Sequence, residues 1–118
     1  MVKRNYGKGI FMKLAGIDIG TTNISGIVWD SEKKEQLYAC VLPNQSQIPC
    51  DESWRKEQDP EQILSLCIHI LDEIREKVGN IDGIGVTGQM HGIVYLNDKG
   101  RHVSNLITWQ DGRGDLLY

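Results

Sequence analysis

The chain has 118 residues, 25% of them charged, and a formal net charge of −3. That length allows one domain or part of one. An acidic balance gives no electrostatic case for nucleic acid, and no apolar run approaches the ~20 residues that span a membrane, so neither partner is expected.

The first residues are unlike the rest. Lys3, Arg4, Lys8 and Lys13 are basic, and no acid lies among them. The apolar stretch Ile10-Phe11-Met12 is too short for the core of a secretion signal, so a cytoplasmic protein is expected. Residues 1–11 read as a mobile extension, with the domain proper at residues 12–118. Cys40, Cys50 and Cys67 are odd in number and widely spaced, with no Cys-x-x-Cys pair. Reduced thiols are expected, and no structural zinc.

Leu14–Ile19, Ile24–Trp29 and Gln36–Leu42 read as strands. Their connections are too short for parallel crossovers, so they form an antiparallel meander. Asp30–Lys34 is its solvated hairpin loop. Pro43 to Gln58 shows neither helical nor strand periodicity and reads as an irregular loop. A helix follows. Asp59 suits the N-cap, Pro60 the first helical position, and Gln62 the return bond of a capping box. Ile63, Cys67, Ile70, Leu71, Ile74 and Val78 keep the three-four spacing of a buried face. Leu64, Leu66 and Ile68 widen it, so the helix should be well covered. Gly79 supplies a left-handed stop. His69 has no second ligand at helical spacing and reads as a surface or boundary residue.

Asp82–Thr87 reads as a strand parallel to the first, because a long helix separates it from the meander. Ile93–Leu96, a turn at Asn97–Gly100, and Leu106–Trp109 read as strand, turn and strand. Trp29, Trp54 and Tyr95 are expected to pack, and His102 to face solvent. The fold class is α/β: a three-stranded meander, a crossover helix, and further strands.

Three segments carry chemistry. Asp18 ends the first strand, and Gly20-Thr21-Thr22 turns into the second. Backbone N–H groups and hydroxyls in such a turn can hold phosphate oxygens without a cationic side chain. Asp18 beside a phosphate makes sense with a hydrated divalent cation between the two anions. It reads equally as a turn-stabilising Asp in an ordinary hairpin. Gln89-Met90-His91-Gly92 follows a strand's C-terminal end, where α/β sheets place ligands. Met90 offers an apolar wall, and His91 can exchange hydrogen bonds with hydroxyls. Trp109 can cover a polyol face and Asp111 accept its hydroxyl protons. The competing readings are a boundary histidine in a tight turn, and a core tryptophan beside an Asp–Arg surface pair.

GIDIGTT (Gly16–Thr22), VTGQMHG (Val86–Gly92) and TWQDGR (Thr108–Arg113) occur in that order. With Glu57–Gln62 before the helix, they resemble the N-terminal part of the FGGY carbohydrate kinases, leaning toward those for sedoheptulose or xylulose. The resemblance runs from about residue 14 to residue 113. It implies the ribonuclease H-like core of the actin and sugar-kinase superfamily, with ATP and Mg2+ as cofactors. By the same resemblance, Gly20, Thr21 and Thr22 bind phosphate, and Asp18 meets the metal through water. Gln89, Met90, His91, Trp109 and Asp111 line the sugar pocket. The family's base aspartate lies in a later motif, absent from the residues after Arg113, so no catalytic residue is assigned. Two departures stand out. Ser25 replaces a Lys or Arg common in relatives, weakening the case for tight nucleotide binding, and Asn23 replaces a small residue.

Family enzymes are several times longer. The chain alone is therefore expected not to phosphorylate a sugar efficiently, and to expose apolar surface that favours self-association or a missing C-terminal half. The rival reading is a noncatalytic remnant serving as a binding or association module. An actin-like or sugar-repressor relative would share the first turn but leaves Gln89–His91 and Trp109–Arg113 unexplained.

Overall fold

A computed structural model describes residues 10–117 of the chain. The expected mobile extension therefore falls mostly outside the described residues. Strands β1 (Lys13–Ile19), β2 (Asn23–Asp30) and β3 (Glu35–Pro43) form the antiparallel meander. Helix α1 (Pro60–Lys77) then crosses over, and β5 (Gly83–Gly88) returns parallel to β1. The sheet order is β3-β2-β1-β5. Two residues each of β4 (Glu57–Gln58) and β6 (Leu106–Ile107) make a separate ribbon.

Alternation decides the core. Ala15 and Ile17 of β1, with Ile24 and Val28 of β2, point at α1 and meet its Ile63, Ile70 and Ile74. Gly26 lies between them because the helix packs so closely: a Cβ there would run into Ile70 Cγ2. Asp30 caps the β2–β3 hairpin by accepting from the N–H groups of Glu32 and Lys33.

The helix starts where the sequence says. Asp59 Oδ1 accepts from the Glu61 N–H at 2.9 Å, whereas the expected return bond from Gln62 is not found among the described residues. Gly79 takes φ +92° and ends the helix. His69 is exposed, as expected. Coverage is narrower than expected: Leu64 and Ile68 are about half exposed, because the helix lies mainly over β1, β2 and β3. The register puts Ile84 beside Ala15 and Val86 beside Ile17, yet both are exposed beyond the helix's reach. Leu14, Ile27, Trp29 and Val41 are also exposed.

Other expectations need correction. Residues 93–96 make only isolated bridges, Ile93 to Ile107 and Leu96 to His102, rather than a strand. Trp29 and Tyr95 are exposed rather than packed. His102 is not free in solvent; it bonds the Glu61 carboxylate and the Ser104 carbonyl, each at 3.1 Å. Residues 43–58 are irregular but anchored: Asn44 and Ser46 are buried, and β4 emerges at the end. Among the described residues, no helix is long and apolar enough to cross a membrane.

Candidate functional site

Parallel pairing of β1 and β5 sets Ile19 beside Gly88. The chain leaves both strands at the same edge, and the Gln89 N–H donates to the Ile19 carbonyl at 2.8 Å. The Gly20–Thr22 turn and the Gln89–His91 loop are therefore neighbours. The β4–β6 ribbon brings the third segment in from the side: Thr108 follows β6, and its hydroxyl donates to the Lys56 carbonyl at 3.0 Å.

A depression of about 360 Å³ lies at this junction, lined by Asp18, Gly20, Thr21, Gly88, Gln89, Met90, His91 and Trp109. It unites every expected site residue except Thr22 and Asp111. The turn's carbonyls face inward. Gly20 O accepts from the Asn44 amide at 2.9 Å, and Thr21 O accepts from the Gln47 amide at 3.2 Å. The backbone N–H groups of Thr21 and Thr22 have no acceptor among the described residues. Gly20 must lack a side chain, because a Cβ there would sit 2.6 Å from Asn23 O. Such a turn offers donors to an anion. Asp18 is exposed at its foot, and Ser25 lies opposite it in register.

On the other wall, Met90 is exposed and His91 holds φ +59°. A non-glycine residue in that region is strained, and such strain gathers at functional sites. Trp109 is more than half exposed, so it is no core residue. Its indole N–H donates to Thr21 Oγ1 at 2.8 Å, which holds the ring over the depression.

Asp111 is placed differently. Its side chain is 1% exposed. Its oxygens accept from Arg113 Nε at 2.6 Å and from the Lys56 N–H at 2.8 Å. The Arg113 guanidinium holds this carboxyl well below the usual range. Asp111 thus shapes the loop behind Trp109 and does not line the depression. Arg113 continues to Glu57 at 2.7 Å and stacks over Trp54 at 5.8 Å.

Sequence reasoning missed the part played by β4. Glu57 and Gln58 are both buried. Glu57 binds Arg55 at 3.1 Å, Asn105 at 2.9 Å and Arg113 at 2.7 Å. Those bonds, Arg55 foremost, pull its carboxyl down to about 2. Gln58 reaches the opposite way, to Thr21 and Gln89. The available signal was two polar residues just before a helix cap, which periodicity cannot interpret.

No group of three His, Cys, Asp or Glu side chains suited to direct metal ligation occurs among the described residues. A lone exposed carboxylate beside an N–H-rich turn fits a cation held through its water shell.

A model of the FGGY family of carbohydrate kinases, N-terminal domain, matches residues 13–116. Sedoheptulokinase of Mus musculus is 30% identical over 83% of this chain and 25% of its own length. Glycerol kinase of Aquifex aeolicus is 34% identical over 82% of this chain and 20% of its own. The crystal structure of xylulose kinase from Rhodospirillum rubrum superposes with a TM-score of 0.76 at 27% identity, covering 86% of this chain and 21% of that one. The chain thus spans about a fifth to a quarter of the length of these relatives. The α/β fold is that of the actin and sugar-kinase superfamily, in part. With the family model covering nearly the whole chain, this protein belongs to the FGGY family of carbohydrate kinases.

Proposed function

We propose that the chain forms the phosphate and sugar walls of an ATP-dependent ketose kinase, for a five- or seven-carbon substrate in the cytoplasm. One observation carries the reading: the depression joins an N–H-rich turn at Gly20–Thr21 to a polyol-sized wall at Gln89, Met90, His91 and Trp109. Relatives named sedoheptulokinase and xylulose kinase support the substrate class.

Phosphoryl transfer needs positioned phosphates and an in-line hydroxyl. The Thr21 and Thr22 N–H groups and the two threonine hydroxyls hold phosphate oxygens of the nucleotide. His91 and Gln89 hydrogen-bond the sugar hydroxyls, and Met90 and Trp109 cover its apolar face. Asp111 acts behind this wall, fixing the loop that presents Trp109. Mg2+, held by Asp18 through water, supplies charge neutralisation at the phosphates when bound. Asp18 is the only carboxylate among the lining residues, and its place at the phosphate end leaves the sugar hydroxyl without a base. The chain by itself therefore binds ligands but turns over poorly.

Calorimetry with D-xylulose, sedoheptulose and Mg-ATP, alongside a coupled kinase assay, tests this. Binding without turnover is the expected result. Turnover at ordinary enzyme rates refutes the assignment of a binding half. Failure to bind any of the three favours the second reading, a noncatalytic association module. The exposed apolar residues of the sheet support association with a second copy or with further kinase chain. Sedimentation of the isolated chain separates these, since a clean monomer argues against self-association.

A further inference from the structure

Resting on that reading of the site, we infer that Gln58 is a positioning residue that couples the phosphate turn to the sugar wall, so that the two ligands bind cooperatively. Gln58 is 1% exposed, and both ends of its amide are engaged. Its Nε2 donates to the Thr21 carbonyl at 3.1 Å. Its Oε1 accepts from Gln89 Nε2 at 2.8 Å. Gln89 Oε1 in turn accepts from the Thr21 hydroxyl at 3.1 Å. These bonds close a ring through the carbonyl and the hydroxyl of one residue, Thr21.

The ring has a single polarity. Flipping the Gln58 amide would set its oxygen against Thr21 O and its NH2 against the NH2 of Gln89. Gln58 thus fixes which way Gln89 faces, and Gln89 fixes the Thr21 hydroxyl hydrogen. That hydroxyl's lone pair already takes the Trp109 indole N–H at 2.8 Å. With sugar absent, the Thr21 hydrogen is held by Gln89 Oε1 alone. A sugar hydroxyl that donates to the second lone pair of that oxygen weakens its hold on the Thr21 hydrogen, which then turns more readily to an anion. A phosphate that takes the hydrogen leaves Gln89 Oε1 a stronger acceptor for sugar. Each ligand thereby lowers the cost of the other, which is a coupling between sites and is reciprocal.

The test uses the full chain, labelled with 15N, with D-xylulose and Mg-ADP as probes. In the unsubstituted protein, D-xylulose should bind about fivefold or more tighter when Mg-ADP is saturating, at the lower end of typical coupling. Gln58→Leu keeps bulk but removes both bonds. It should bring that ratio to about one while changing each separate affinity less than the ratio changes. Gln58→Met, close to Gln in shape and lacking both amide groups, serves if the leucine variant fails to fold. Gln47→Leu removes an exposed donor to the same Thr21 carbonyl outside the ring, and should preserve the ratio. The Trp109 indole N–H resonance, assigned by Trp109→Phe, should move in Gln58→Leu although the two side chains share no bond. Equal D-xylulose affinity with and without Mg-ADP in the unsubstituted chain overturns the inference, as does coupling that survives loss of Gln58. If the unsubstituted chain binds neither probe, the proposed function fails. The indole resonance then decides the positioning claim alone, and an unmoved signal overturns it.

Discussion

Replacing Glu57 with Gln should destabilise the chain by about 3 kcal/mol at neutral pH, and the loss should shrink in acid. The magnitude follows from the carboxylate's surroundings. Glu57 is 8% exposed and receives bonds from Arg55, Asn105 and Arg113. Its carboxyl titrates near 2 rather than at the ordinary 4.5. At 1.36 kcal/mol per pH unit, that difference corresponds to about 3 kcal/mol of preference for the folded state. This sits at the low end of the ~3–5 kcal/mol for breaking a buried ion pair. The reason is that neither arginine is stranded: Arg113 keeps Asp111, and the Arg55 side chain is 40% exposed. A lowered folded pKa means stability that is present above pH 4.5 and lost as pH falls toward 2. The gap between the two proteins should therefore fall to roughly 1.4 kcal/mol at pH 3. Urea unfolding at both pH values is the assay. A midpoint about 1–3 M lower at pH 7 is expected for a small domain. A shift below about 0.3 M, or one equal at pH 7 and pH 3, refutes the assignment of a charge-based clamp.

Three further substitutions probe the scaffold and the site. Gly26→Ala should cost about 1–3 kcal/mol, because the added methyl meets Ile70, which is fully buried; an unchanged melting temperature would show that the helix can lift away freely. Asp59→Ala removes the acceptor for the Glu61 N–H and should lower stability by about 1 kcal/mol, read as a urea midpoint shift, with no change contradicting the cap. His91→Gly should stabilise the fold by about 0.5–1 kcal/mol by relieving the left-handed backbone while weakening D-xylulose binding by calorimetry. Retained affinity would remove His91 from the sugar wall.

What the sequence made legible was whatever repeats along the chain. Alternation drew the meander, and the three-four spacing of Ile63, Ile70 and Ile74 drew the helix. Capping and stop residues then fixed its ends. Leu64 and Ile68 misled because spacing reports a face, not what covers it. Residues 93–96 misled because apolar residues at a strand-like spacing found only isolated bridges to pair with. The site was legible where function sits at strand ends, since Asp18, Thr21 and Gln89 follow from two adjacent parallel strands. Asp111 was legible only as the competing reading, an Asp–Arg pair, and spacing could not say that Arg113 and the Lys56 N–H would take up its oxygens away from the depression. Glu57 and Gln58 were opaque for a deeper reason: apart from Arg55, their side-chain partners lie 31 to 56 residues away.

That long reach explains why β4 is built from polar residues. An apolar pair at β4 would bury area without direction, and the three loops around the depression could settle in several arrangements. Hydrogen bonds are directional, and a buried donor or acceptor without a partner costs about 1–3 kcal/mol. Among the described residues no buried side-chain nitrogen or oxygen lacks a partner. Moving any one of these loops breaks at least one of these bonds, since Glu57 holds the Asp111–Arg113 loop while Gln58 holds Thr21 and Gln89. The network therefore acts on the choice of arrangement more than on total stability. A wall that must meet a sugar and a phosphate at once needs that choice made before either arrives.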